Sequence, residues 1–182
     1  MLLERSFRRH NGKEVRLREL TDLVALRPPE RGSAPASRRA GRQAHSRLQS
    51  RALDAIAPEV SLPEVRAFED AGWVFVPAVR SKESPAGDTR AKVFVKQGGR
   101  LALSTNRLVV QFDGAPSREE ADERLRPYGC RVIAALDFAP GLFRVEVGDE
   151  AKGDTLDVAN ELVSSGVCKF AEPELIEAVG GR

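Results

Sequence analysis

Cysteine and histidine, the side chains that most often carry chemistry, are nearly missing from this 182-residue chain. There are two cysteines, Cys130 and Cys168, and two histidines, His10 and His45. Two cysteines build neither a disulfide framework nor a four-ligand zinc site, and two histidines leave few candidates for a general base. A self-sufficient hydrolase is therefore not expected, and neither is a cofactor or a metal. Long apolar runs are also lacking. None approaches the ~18 residues of a membrane span, so no membrane partner is expected. The first nine residues (MLLERSFRR) put charge where a signal peptide needs an apolar core, which points to a cytoplasmic location. No glycine-rich phosphate loop is present; Gly98-Gly99 fits a hairpin turn better.

Charge picks out no partner by its total, 29 Lys+Arg against 27 Asp+Glu. Its placement is more informative. Residues 1–52 hold 13 basic and 5 acidic side chains, and residues 53–182 hold the other 16 and 22. A basic arm thus precedes an acidic globular part. Within the arm, 28–50 (PPERGSAPASRRAGRQAHSRLQS) has almost no large apolar residue to bury and reads as a solvated tether. Nucleic acid or another acidic surface is the alternative partner for such an arm. The tether is favoured, because no aromatics are interleaved for base stacking.

The pattern divides the chain into four parts: an N-terminal β hairpin region (1–27), the basic linker (28–46), a helix with a β-rich subdomain (47–105), and a C-terminal domain (106–182). Glu14–Arg27 alternates and then runs apolar, reading as two short strands after the turn signal Asn11-Gly12. Arg47–Ile56 has helical spacing, ended by Pro58. Val65–Val79 breaks at Asp70-Ala71-Gly72 and reads as a hairpin, with Trp73 as a core anchor. Residues 81–90 read as a polar loop. Lys92–Lys96 and Arg100–Ser104 make another hairpin. "Gly, short strand, polar break, apolar strand" occurs from Gly12 and again from Gly99, which fits either duplication or coincidence.

The last third is more regular. Leu108, Val110 and Phe112 alternate on one face of a strand. Asp113-Gly114 turns the chain, and Ser117-Arg118-Glu119-Glu120 is an S-x-x-E capping box. Ala121, Leu125 and Tyr128 give that helix its apolar face, and Gly129 closes it. Cys130–Phe138 and Leu142–Val147 follow as strands across the turn Ala139-Pro140-Gly141. Asp154 caps a second helix carrying Leu156, Ala159, Leu162 and Val163, closed by Gly166. Val167–Ala171 is the fourth strand. The order β-α-β-β-α-β in under 80 residues predicts an α+β, ferredoxin-like unit, an antiparallel sheet with two helices on one face. Its expected core is Leu108, Val110, Phe112, Leu125, Val132, Phe143, Val145, Leu162 and Phe170.

These residues also carry a resemblance. Leu108–Phe112 with the turn Gly114–Pro116, the acidic helix ending at Gly129, Pro140-Gly141-Leu142, Val145 with Val147, and above all Ala171-Glu172-Pro173 resemble the propeptide domain of subtilisin-like serine proteases over roughly 106–179. The resemblance implies an intramolecular chaperone and product-like inhibitor of a subtilisin-like catalytic domain. It implies a sheet face packed on two protease helices. It also implies an inhibitory tail laid in the substrate groove, followed by autoprocessing. Carried onto this chain, the tail is Glu174–Arg182, and the protease-binding residues are Glu172, Glu174, Glu177, Ala178, Val179, Gly180, Gly181 and Arg182. Acidic residues there would face helix N-termini. Arg182 would fill a specificity pocket lined by a carboxylate.

No catalytic segment follows within the chain. The expectation is a cleaved propeptide or a stand-alone inhibitor, and without a catalytic triad the chain is not expected to be an enzyme by itself. Two other classes share the β-α-β-β-α-β order. An RNA-binding module is disfavoured, since 106–182 holds 9 basic against 15 acidic residues and the third strand has one aromatic, Phe143. A regulatory small-molecule domain is set aside only by the Ala-Glu-Pro motif. The remaining candidates read as structural. Cys130 and Cys168 are expected to be buried thiols. His10 and His45 are expected to be solvated. Ser164-Ser165 is a helix end, and Glu119, Glu120, Asp122 and Glu123 are expected to form a solvated face.

Overall fold

The computed structural model of the protein describes residues 2–29, 57–79 and 88–178. Most of the basic tether, the Arg47–Ile56 helix and much of the 81–90 loop lie outside the described residues. The fold is α+β. Strand pairing follows the path β1 (Leu2–Arg8), β2 (Glu14–Arg27), β4 (Thr89–Lys96), β5 (Leu101–Gln111), β7 (Leu142–Val147), β6 (Cys130–Ala135), with β3 (Val74–Pro77) attached to β2 and β8 (Phe170–Glu177) to β5. The chain divides into two compact units, one from residues 1–4, 17–103 and 176–182, the other from 5–16 and 104–175.

The first unit is organised around β2 (Glu14–Arg27), a single strand rather than two. Its register against β4 (Thr89–Lys96) shifts between Glu19 and Val24, and this irregularity is the polar break that suggested two strands. β2 also pairs with β3 (Val74–Pro77), from Leu23 opposite Pro77 to Leu26 opposite Val74. The expected hairpin over 65–79 is corrected. Its first half is a helix, α1 (Leu62–Asp70), and only the second half is strand. Pro63 in the first turn fixes a helical φ, Glu64 suits the positive helix end, and Val65 and Phe68 share the buried face. Asp70-Ala71-Gly72 closes the helix, with the Gly72 N–H donating to the Glu69 carbonyl at 2.9 Å. The core gathers Leu20, Phe68, Trp73, Phe75, Val93, Leu101 and Leu103. Phe68 meets Phe75 edge to face, with centroids 6.2 Å apart. Glu19, almost fully buried, pairs with Lys92 Nζ at 2.6 Å.

β5 (Leu101–Gln111) is likewise one strand, where the alternation suggested two pieces. Its second half belongs to the second unit. There it pairs antiparallel with β7 (Leu142–Val147), from Arg107 opposite Glu146 to Gln111 opposite Leu142. β7 pairs antiparallel with β6 (Cys130–Ala135). Within this unit the strand order is therefore β8-β5-β7-β6. α2 (Arg118–Leu125) connects β5 to β6, and α3 (Thr155–Ser164) connects β7 to β8 (Phe170–Glu177).

Both helices of this unit begin with capping boxes. Ser117 accepts from the Glu120 amide while the Glu120 carboxylate accepts from the Ser117 amide, and Asp154 and Asp157 do the same for α3. Ala121 and Leu125 of α2 share one core with Val158, Ala159 and Leu162 of α3 and with Leu108, Val110, Phe112, Val132, Phe143 and Val145 of the strands. Phe170 is corrected: it is half-buried and lies outside that core, 5.7 Å from the His10 ring. Gly141 stands at φ +68°, and a Cβ there would lie 2.4 Å from the Gly114 carbonyl oxygen, so the Pro-Gly turn packs against the Asp-Gly turn only because it lacks a side chain.

Candidate functional site

Of the residues named from the sequence, Glu172, Glu174 and Glu177 lie on β8. That strand begins at Phe170, three residues later than expected, because the Val167 amide is used to close α3 by donating to Leu162 O at 3.2 Å. It continues through Pro173 to Glu177, so Glu174–Glu177 belong to a strand and not to the segment beyond it. The Lys169 amide donates to Gln111 O at 2.8 Å, fastening the entrance of β8 to the end of β5.

Each of the three acidic candidates on this strand is held within the chain. Glu172 accepts from the backbone amide of His10 and lies 2.9 Å from its Nδ1. His10, exposed as expected, is thus anchored as well. Glu174 accepts from Arg144 Nε at 2.7 Å. Glu177 accepts from Lys96 Nζ at 2.8 Å. Ala178, just past the strand, packs against the core of the first unit, and its carbonyl accepts from Arg100 Nη2 at 3.3 Å. Val179, Gly180, Gly181 and Arg182 lie outside the described residues.

Arg144, Lys96 and Arg100 were not singled out from the sequence, and His10 was read there only as a solvated histidine. The pairs Glu172–His10, Glu174–Arg144 and Glu177–Lys96 join residues 162, 30 and 81 positions apart. No local spacing rule reaches that far.

The sheet face turned away from α2 and α3 carries paired charges beside apolar side chains. Arg131 of β6 donates through Nε to Glu146 of β7 at 2.6 Å, across a cross-strand pair. Arg144, also on β7, reaches Glu174 on β8. Val109, opposite Arg144, is half-buried. Paired charges on a half-exposed sheet supply orientation and electrostatic selectivity more than raw affinity.

Other candidate chemistry is muted by the fold. Cys130 and Cys168 are free and buried, and burial pushes both thiols from an ordinary 9.0 up to about 12, helped by Glu150 and Glu161 near Cys130 and by Asp113 near Cys168. They are protonated, poorly nucleophilic thiols at neutral pH. Of the acidic run on α2, Glu120 serves the cap, and Asp122 accepts from the Val132 amide at 2.7 Å. These two are structural carboxylates. Ser165 Oγ donates to Glu161 O at 2.7 Å and ends α3. Among the described residues no group of His, Cys, Asp and Glu is arranged to hold a metal ion, and no helix is long and apolar enough to cross a membrane. Comparison with family models, curated proteins and solved structures gives no match to this chain.

Proposed function

We propose that the second unit is a ferredoxin-like βαββαβ domain of the propeptide type, and that the chain acts as a chaperone and product-like inhibitor of a subtilisin-like serine endopeptidase. The observation that carries this reading is the strand order β8-β5-β7-β6, with one helix in each crossover and Ala171-Glu172-Pro173 placed on the last strand. That arrangement gives the sheet one face without helices, and it makes β8 the element from which an inhibitory segment leaves.

On this reading that face, with Arg131, Glu146, Arg144 and Glu174, orients the protease surface. The residues after β8 then enter the substrate groove as an extended strand. Main-chain hydrogen bonds supply affinity there and alternate side chains read the pockets. Gly180 and Gly181 permit close approach in a narrow cleft. Glu172 and Glu174 act as the rigid mount of the tail, since both already bind cationic or polar groups of this chain. On this reading the chain contributes binding.

Titrating the chain into an assay of a purified subtilisin-type endopeptidase tests the reading. Saturable inhibition at near-stoichiometric ratios, weakening with added salt because the docking face is charged, is the expected result. Cleavage of the chain as an ordinary substrate, with no inhibitory phase, would count against it.

A further inference from the structure

The first unit contains a feature that the propeptide reading does not require. The β4–β5 hairpin turns at Gly98-Gly99, closed by the Lys96 amide donating to Arg100 O at 2.8 Å and the Gly99 amide donating to Lys96 O at 3.1 Å. This places Lys96 and Arg100 on either side of the turn, and both reach the end of β8. Lys96 Nζ holds Glu177 Oε1 at 2.8 Å, with side chains only 21% and 27% exposed. Arg100 Nη2 stands 3.9 Å from the other carboxylate oxygen of Glu177 and donates to Ala178 O at 3.3 Å. Arg100 is itself backed by Glu64 at the start of α1. Glu64 Oε1 lies 4.0 Å from Arg100 Nε and accepts from the Leu101 amide at 2.8 Å. The Ala178 methyl completes the contact by packing on the core of this unit.

A lone surface ion pair contributes little. Here four interactions meet on two successive residues: both oxygens of one carboxylate, one main-chain carbonyl and one half-buried methyl. They meet where the last strand ends. We propose that Lys96 and Arg100 form a clamp that fixes the direction in which the chain leaves β8, and that the first unit thereby positions the inhibitory segment. The second half of this proposal rests on the function proposed above. Fixing the exit point removes conformational freedom before docking, and that freedom no longer has to be lost on binding. Lys96 and Arg100 are positioning residues, since they act on the tail through Glu177 and Ala178.

Two readouts on the full chain separate the clamp from the inhibition. The first is amide hydrogen exchange over Leu175–Ala178. The Lys96→Gln/Arg100→Gln double variant should exchange there about tenfold faster than wild type, with exchange in α2 and α3 unchanged. Glu177→Gln, which breaks both ion pairs from the strand side, should act in the same direction. Unchanged exchange in both the double variant and Glu177→Gln overturns the clamp. The second readout is inhibition of a subtilisin-type endopeptidase, which should weaken about five- to tenfold in the double variant. Faster exchange with undiminished inhibition overturns the positioning role. If wild type fails to inhibit, the proposed function and the positioning role fall together, and exchange still judges the clamp.

Discussion

Cys130 and Cys168 show how burial decides the chemistry of a residue. The folded thiols hold their protons to about 12, whereas exposed thiols ionise near 9.0. Their contribution to stability is therefore complete below about pH 9 and is lost as pH rises from there toward about 12, because the unfolded chain then binds fewer protons. Alkylation by iodoacetamide at pH 8 should be slow in the native protein and fast in denaturant, and rapid native labelling would contradict the burial. Gly99 offers a second test. At φ +75°, a Cβ there would lie 2.1 Å from the Glu59 carbonyl oxygen, while Gly98, at φ +87°, has nothing within 4 Å. Gly98→Ala should cost about 1–2 kcal/mol through the left-handed backbone alone. Gly99→Ala should cost clearly more, and equal midpoints in thermal denaturation would speak against this close approach. The Gly-Gly dipeptide marks the turn in the sequence, whereas the Glu59 carbonyl that packs on it is forty residues distant in the chain and leaves no local trace.

At the scale of elements, legibility followed the source of stability. The S-x-x-E box of α2 and the aspartate cap of α3 are local devices, and both stand where the sequence marks them. Ser117→Ala should cost about 1 kcal/mol. Asp154→Ala should cost more, because Asp154 caps two amides and also accepts from Arg5 at 2.8 Å, with both side chains only 16% exposed. Asp154→Asn, which keeps a capping oxygen but loses the charge, should fall between wild type and Asp154→Ala in urea denaturation. Equal losses for all three variants would show that neither the second amide nor Arg5 matters. α1 was not legible, because Val65 and Phe68 share a helical face yet run into the strand-like Val74-Phe75-Val76 with only a turn signal between them. The shared core chose helix for the first part. β8 was misplaced for a related reason. Proline lacks a ladder donor and reads as a strand end, yet β8 passes through Pro173 and ends four residues later.

At the scale of the whole molecule, the βαββαβ order of the C-terminal part could be read because its strands and helices alternate at short spacing. The membership of Arg5–Arg16 in the second unit could not. It depends on distant contacts such as Asn160 Nδ2 donating to Ser6 O at 2.9 Å and Glu172 on His10. Leu162 lies fully buried where α3 meets that core, so Leu162→Ala should lower stability by about 2–5 kcal/mol in denaturant unfolding. A loss below about 1 kcal/mol would mean the site collapses or is not packed as described. Among the acidic candidates, the sequence located the strand that carries them but not the cations they bind. The inhibitory role proposed for the segment after β8 is tested most directly by comparing the inhibition constant of the full chain with that of a chain ending at Ala178, which keeps all of β8 and the contacts of Ala178. Removal of 179–182 should weaken inhibition of a subtilisin-type endopeptidase by about a hundredfold or more while leaving the unfolding midpoint unchanged. Equal inhibition by the two chains would contradict the product-like mechanism and leave the sheet face to carry the affinity.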